Sequence, residues 1–295
     1  MISIFIPVKD EELALPGCLE SVAWSDDVHV CDSGSVDGTA AVAAEAGAHF
    51  TVSPERFHVN FGSNEAEYKN WALQNLPFKY PWVLFLDADE RATPELVNAV
   101  KAAVQNPQGN VAYRIQRRDF FLNTWLKHVQ MTAFYLRLFR HDSVHYERPI
   151  HPRCVPNGPV ADLSGYIDHF PFSKGIGQWL ARHNAYSTLE AKHVVAGRAS
   201  KVQFSWIKAL TAKDAAERRF HQKEIYYRMP VRPILRFLVL YFAKRGFLDG
   251  YAGFTYSVLQ AIYEYMIVLK TEEMMSPRYV QPGLASHTLS EQVPK

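Results

Sequence analysis

The stretch at positions 81–96, PWVLFLDADERATPEL, decides the fold. Its apolar run from Trp82 to Leu86 lacks polar alternation, as expected of a strand buried on both faces of a parallel sheet. The run stops at three carboxylates, Asp87, Asp89 and Glu90. Thr93, Pro94 and Glu95 then supply an N-cap, a proline at the first helical position and an acid in the first turn. Together they predict a helix to about Val104. In an open parallel sheet, ligands sit beyond the carboxyl ends of the strands, and Asp87 and Asp89 fall at such an end. Like charges this close raise each other's pKa unless a cation joins them. Oxygen donors at this density suit Mg²⁺ or Mn²⁺ bridged to phosphates. The competing reading is a surface turn with a capping acid, since isolated D-x-D triplets are common.

Upstream, the chain alternates. ISIFIPV (2–8), DDVHVCD (26–32) and AHFTVS (48–53) read as strands. LALPGCLESV (13–22), the alanine-rich DGTAAVAAEAG (37–47, with Gly47 as its stop) and SNEAEYKNWALQNL (63–76) read as helices. Such alternation predicts an α/β, Rossmann-like sheet with helices on both faces. After Gly109 the character changes: NVAYRIQRRDFFL (110–122), FYLRLFRH (134–141) and SVHYERPI (143–150) read as strands rich in arginine and aromatics, with antiparallel pairing. From about Lys174 the chain reads as helical, and from about Ser276 as a loose tail. The expected division is therefore 1–173 for the α/β domain, 174–275 for a helical region and 276–295 for the tail.

Composition narrows the function classes. The 295 residues are 48% hydrophobic and 21% charged, ordinary values for a folded protein. A formal charge of +2 gives no case for nucleic-acid binding. Three widely spaced cysteines, Cys18, Cys31 and Cys154, read as reduced thiols in a cytoplasmic protein. The N-terminus lacks the basic and apolar regions of a signal peptide, and no run reaches the roughly 18 apolar residues of a membrane span. No P-loop and no G-x-G-x-x-G fingerprint is present, the further ligands of an EF-hand are missing, and no glycine-rich basic loop follows the first strand. A haloacid-dehalogenase-type phosphatase using Asp87 as nucleophile stays open, although Glu90-Arg91 stands where a small polar pair is usual.

IPVKDEELALPGCLESV (6–22), VHVCDSGSVDGT (28–39), YKNWAL (68–73) and VLFLDADE (83–90), in this order, resemble glycosyltransferase family 2. LRLFR (136–140), RHNAYSTLEA (182–191) and RGFLDGYAGF (245–254) are similar to the branch that includes lipopolysaccharide core β-glucosyltransferases. The resemblance runs over roughly residues 1 to 270 and implies a GT-A fold, a nucleotide-sugar donor, a divalent metal (Mn²⁺ or Mg²⁺) and inversion at the anomeric carbon.

What the resemblance implies for single residues follows from the same motifs. Asp89 is the first choice as metal ligand, with Asp87 on the metal or the donor ribose and Ala88 between them against the donor. Asp32 reads the uracil edge. Pro7 and Val8 form the lip of the nucleotide site, Asp10 and Glu11 contact base or ribose, and Lys69 is a basic residue near the nucleotide. Asp37 and Ser35 serve equally well as helix caps. Arg137 and Arg140 are expected on one strand face, meeting the diphosphate or forming salt bridges. The related branch has His-Glu after its RLFR strand, whereas PIHPR here gives His151 followed by Pro152. Glu147, His151 or Asp168 then stands in as the base for the acceptor hydroxyl, and His151 or His169 as a third metal ligand. The expected partners are a UDP-sugar donor and a bacterial glycan or lipid-linked acceptor. A non-catalytic nucleotide-sugar-binding module is the further alternative. The aromatic-rich last helices, edged by Arg232, Arg236, Lys244 and Arg245, read as plain core or as peripheral membrane contact on the cytoplasmic face.

Overall fold

The computed structural model describes residues 1–58, 64–148, 152–199, 203–229 and 231–276. The chain divides into two compact units, Met1–Ile176 and Gly177–Lys295.

In the first unit, β1 (Ser3–Val8), α1 (Leu15–Val22), β2 (Val28–Asp32), α2 (Thr39–Glu45), β3 (His49–Val52), α3 (Glu65–Asn75) and β4 (Trp82–Phe85) follow in the expected order. The chain winds outward from β1 through β2 to β3, then returns to lay β4 on the other side of β1, all in parallel. The strand order therefore reverses between β1 and β4, the point beyond whose carboxyl ends sheets of this kind form a ligand-binding crevice. A short β5 (Glu90–Ala92) and α4 (Pro94–Gln105) come next, with Thr93 Oγ1 capping the helix by accepting from Leu96 N. The sheet is completed by β6 (Ala112–Phe121), β7 (Thr124–Trp125), β8 (Phe134–Arg140) and β11 (Val160–His169), while β9 (Val144–Glu147) and β10 (Arg153–Pro156) lie outside it. Its order is β3-β2-β1-β4-β8-β6-β11-β5, with β7 on β6 and β9-β10 a separate antiparallel pair. β8 runs antiparallel to both β4 and β6, whereas β6 and β11 are parallel. The ends of β4, β6 and β11 thus reach the same edge.

Strand alternation puts helices on both faces. Ile4, Ile6, Leu84 and Leu86 face one way and pack with Leu15, Cys18, Leu19, Leu96 and Val100 of α1 and α4. Phe5, Val83 and Phe85 face the other way, onto Tyr68, Ala72 and Leu73 of α3 and Tyr146 of β9. Each such fully buried side chain contributes about 1.5–3 kcal/mol. Strands β5, β10 and β11 go beyond the sequence reading, because each is brief or interrupted by glycine. Gly165 in β11 has φ +87°, and a Cβ there would lie 2.6 Å from the Leu96 backbone of α4. The bulge between Asp162 and Tyr166 lets α4 lie directly against the strand.

The second unit holds the helical run α5 (Gly175–Ala199, whose first two residues belong to the first unit), α6 (Trp206–Thr211), α7 (Ala215–Arg228), α8 (Arg232–Leu238) and α9 (Gly250–Met275). Lys270 of α9 donates to Asn184 Oδ1 at 2.7 Å and to Ser187 and Thr188 of α5 at 2.8 Å. Buried Arg232 meets Glu264 at 3.2 Å, joining α8 to α9.

Candidate active site

The DADE turn is closed twice. Glu90 N donates to Asp87 O at 2.9 Å, and Asp87 N donates back to Glu90 Oε2 at 3.0 Å. Glu90 points inward, its side chain fully buried, whereas Asp87 leaves 39% of its side chain open. Glu90 then opens β5, which pairs with the end of β11 so that Glu90 lies opposite His169. Phe170 N donates to Asp89 O at 2.8 Å, fixing Asp89 beside the histidine.

Two sets of partners converge on this turn. From β8, Arg137 Nη2 donates to Asp87 Oδ2 at 2.8 Å and Glu90 Oε1 at 2.6 Å. Desolvation works to raise the Asp87 carboxyl, but the charges of Arg137 and Lys69 outweigh it and hold the group well below the usual range. Glu90 goes the other way: its burial pushes it up. From the ends of β6 and β11, Asp119 and His169 meet as cross-strand neighbours, Nδ1 lying 2.5 Å from Asp119 Oδ1. His169 Nε2 faces Asp89 Oδ2 at 3.4 Å. Burial works to lower the imidazole, but Asp89 and Asp119 raise it to about 9; a metal at Nε2 would displace the proton there. Arg117 sits 3.2 Å from Asp119 and 3.6 Å from Glu90. The Lys69 ammonium lies 4.8 Å over Phe85 and 5.3 Å over Tyr146; burial draws its pKa down while Asp87 opposes that shift.

The donor set fits a divalent cation held partly by substrate. Asp89 presents an oxygen and His169 a nitrogen, close enough to share a metal whose bonds are about 2.1 Å. Asp119 fixes the imidazole orientation, as outer partners of metal-bound histidines do. Among the described residues no group of three or more His, Cys, Asp or Glu side chains could hold a metal. Phosphate oxygens and water would supply further ligands.

Across the crevice, the loop after β1 is interlocked with the loop after β2. Val8 is buried and Pro7 half-buried, paired in register with Asp32 and Cys31. Asp10, at φ 53°, accepts from Val36 N at 2.8 Å and donates its own N–H to Ser35 Oγ. Asp32, 4% exposed, accepts from Gly34 N and Ser35 N at 3.0 Å. Its carboxylate orders the loop that a base would rest against. Glu11 Oε1 meets Lys174 at 2.5 Å. Asp37 accepts from Glu12 N and Thr39 N, so it ties the start of α2 to the β1 loop.

Three expectations change. Arg140 does not join Arg137, because residues three apart lie on opposite strand faces; it is exposed and pairs with Asp142 at 3.1 Å. Glu147 is exposed beside His145, while its neighbour Tyr146 is the β9 residue turned inward, again by alternation. Asp168 accepts both arms of Arg118 at 2.6 and 2.8 Å, which argues against a role as free base. His151 lies outside the described residues. Ala88 is buried in the turn. Asp119, Arg117 and Lys174 were missed. For Asp119 the signal was available, a carboxylate at the end of an apolar-edged strand like Asp87.

A parallel sheet reversing between β1 and β4, extended through antiparallel β8 and with helices on both faces, is a GT-A-like arrangement. The family comparison agrees: a model of Glycosyl transferase family 2 matches residues 3–159, and the chain belongs to that family as a glycosyltransferase. It is 27% identical over 278 residues to the lipopolysaccharide core biosynthesis glycosyltransferase LpsC of Rhizobium meliloti, covering 91% of each chain. It is also 25% identical to an uncharacterized glycosyltransferase of Rickettsia bellii, covering 92% of this chain and 86% of the relative. Among solved structures it is similar to Mycobacterium tuberculosis glucosyl-3-phosphoglycerate synthase, crystallised with Mn²⁺, UDP and glucosyl-3-phosphoglycerate. That likeness has a TM-score of 0.34 at 22% identity, over 40% of this chain and 44% of that one.

Proposed function

We propose that this glycosyltransferase is metal-dependent and inverting, and moves a hexose from a UDP-sugar to a hydroxyl of a bacterial surface glycan or lipid-linked acceptor. The observation that carries the reading is the Asp89–His169–Asp119 array at the carboxyl edge of the sheet. The full-length similarity to a lipopolysaccharide core enzyme supports the acceptor class. The free cysteines and the absence of a helix long and apolar enough to cross a membrane, among the described residues, accord with work at the cytoplasmic face.

Breaking a sugar–diphosphate bond gathers negative charge on the leaving group. Asp89 and His169 would hold Mn²⁺ or Mg²⁺, which when bound supplies charge neutralisation at the diphosphate. Lys69 adds a cation beside Asp87. Arg137 keeps Asp87 ionised and aimed, and so acts as a positioning residue. Asp10 and Asp32 hold the two loops that frame the nucleotide, with Pro7 and Val8 as its lip. We assign the acceptor proton to His151 on the sequence motif PIHPR, which stands where the related branch has His-Glu. The helical unit is the acceptor side.

Calorimetric titration of UDP with and without Mn²⁺, on wild type and Asp89→Ala, tests the donor site. UDP should bind wild type only with metal, and Asp89→Ala should lose that dependence. If UDP does not bind under any metal condition, the donor reading fails. Binding without turnover on any UDP-sugar would instead favour a non-catalytic module. The family assignment leaves the phosphatase reading without support.

A further inference from the structure

We propose that the segment Phe237–Phe254 of the helical unit is an interfacial docking surface that seats the enzyme on an anionic lipid bilayer. Here α8 runs into a π-helical turn, Val239–Ala243, followed by Lys244 and Arg245, a 3-10 turn at Gly246–Asp249 and the start of α9. The rings of this segment form one contiguous cluster. Tyr241 lies 5.1 Å from Phe242, 6.2 Å from Phe247 and 5.6 Å from Phe254, and Phe237 stacks on Tyr241 at 5.4 Å. Instead of closing over this cluster, the segment leaves Phe242 56%, Phe247 46%, Leu248 55% and Tyr251 75% exposed. Scattered apolar side chains on a surface mean little, but a joined aromatic patch marks a docking site.

The charges select the occupant. Within the segment, half-buried Lys244 and exposed Arg245 are the cations, against one acid, Asp249, and that acid is buried; Arg232, buried against Glu264, and Arg236, bonded to Gln260, do not face the patch as free charges. Lys244 and Arg245 stand in the turn between the two aromatic groups. A dibasic turn set among exposed aromatic and aliphatic side chains is the composition of an interfacial anchor, its apolar part entering about 5–10 Å and its cations meeting lipid phosphates. A second copy of the chain fits less well. Protein interfaces are depleted of lysine at their cores, and a two-fold dimer would set like charges against each other. Among the described residues no helix is long and apolar enough to span, so the contact is one of lying on the bilayer. The inference rests on the lipid-linked acceptor reading only for its purpose, since docking itself needs neither donor nor acceptor.

Co-sedimentation of the full chain with vesicles of phosphatidylcholine and phosphatidylglycerol, and of phosphatidylcholine alone, tests it. Wild type should bind the mixed vesicles, more weakly as salt rises, and hardly bind neutral ones. Phe242→Ser with Leu248→Ser, and separately Lys244→Glu with Arg245→Glu, should each cut the partition coefficient by about tenfold or more. UDP titration without lipid should be unchanged in all of them, so that failure of the docking and of the donor site are read separately. As a variant independent of folding losses, Phe247→Trp should shift its emission to the blue on anionic vesicles only. The proposal is overturned if wild type ignores anionic vesicles, or if both double variants bind them as wild type does. It is also overturned if light scattering shows a dimer that Phe242→Ser with Leu248→Ser dissolves while no vesicle binds.

Discussion

Arg137 Nη2 lies 2.6 Å from a carboxylate oxygen of Glu90, a side chain wholly removed from solvent. A buried pair of this kind resists the loss of one partner far more than its net stabilisation suggests, because the survivor is left as an unpaired charge. Arg137→Ala should therefore destabilise the α/β unit by about 3–5 kcal/mol, read from denaturant midpoints at constant slope. Arg137→Lys should recover only part of this, since an ammonium does not reproduce the guanidinium fork between Asp87 and Glu90. A loss below about 1 kcal/mol for Arg137→Ala would show that Arg117 takes over the charge.

Asp119 should matter to metal affinity without touching metal. Asp119→Asn removes the carboxylate that orients His169, and Mn²⁺ affinity in the presence of UDP should fall about 10–100-fold. An unchanged Mn²⁺ titration would detach the histidine from the metal site.

Gly165 holds a left-handed conformation against the α4 backbone, whereas Gly47, also at positive φ, has open space around it. Gly47→Ala should cost about 1 kcal/mol through backbone conformation alone. Gly165→Ala should cost clearly more, about 3 kcal/mol, because the added methyl meets main chain that cannot swing aside. Equal losses at the two sites would mean that α4 shifts to accommodate the methyl.

A buried pair far from the site should govern acid stability. His29 Nε2 lies 2.9 Å from Asp27 Oδ1, yet burial lowers the imidazole below its ordinary 6.5 and outweighs the carboxylate's attraction. For Asp27, burial acts upward, but Ser3, the Lys79 backbone and His29 hold the group below its ordinary 3.8. The attraction to a charged His29 is the weaker part of this, since His29 is neutral at pH 7. Both groups have depressed values in the folded state, so both stabilise above their unfolded pKa and lose that contribution as pH falls. Wild type minus His29→Gln stability should shrink as pH drops below about 6.5, with the Asp27 part lost only below about 3.8. A difference independent of pH from 7 to 5 would remove His29 from the acid response.

Much of this protein was legible along the chain. The strand–helix alternation to Val104, the carboxylates at the end of β4 and the Thr93 cap are local patterns, set by residues a few positions apart. The strands after Gly109 were read only in part, since β11 breaks its pattern at Gly165 and β5 is three residues long. The placement of Asp87 and Asp89 at the end of β4 followed from spacing, whereas the partners of Arg140, Glu147 and Asp168 could not be told from composition. Each turned on which way a strand residue points.

The sequence by itself determined an α/β sheet that delivers acids to its carboxyl edge, because hydrophobic period and capping chemistry act over one or two turns of chain. Tertiary structure alone decided which groups those acids meet. His169 and Asp119 stand 50 positions apart, as do Arg137 and Asp87. Register joins them: β11 aligns on β6 so that His169 faces Asp119 while Asp168 faces Arg118. A slip of one residue would exchange the two faces of the strand and put Asp168 where the imidazole now stands.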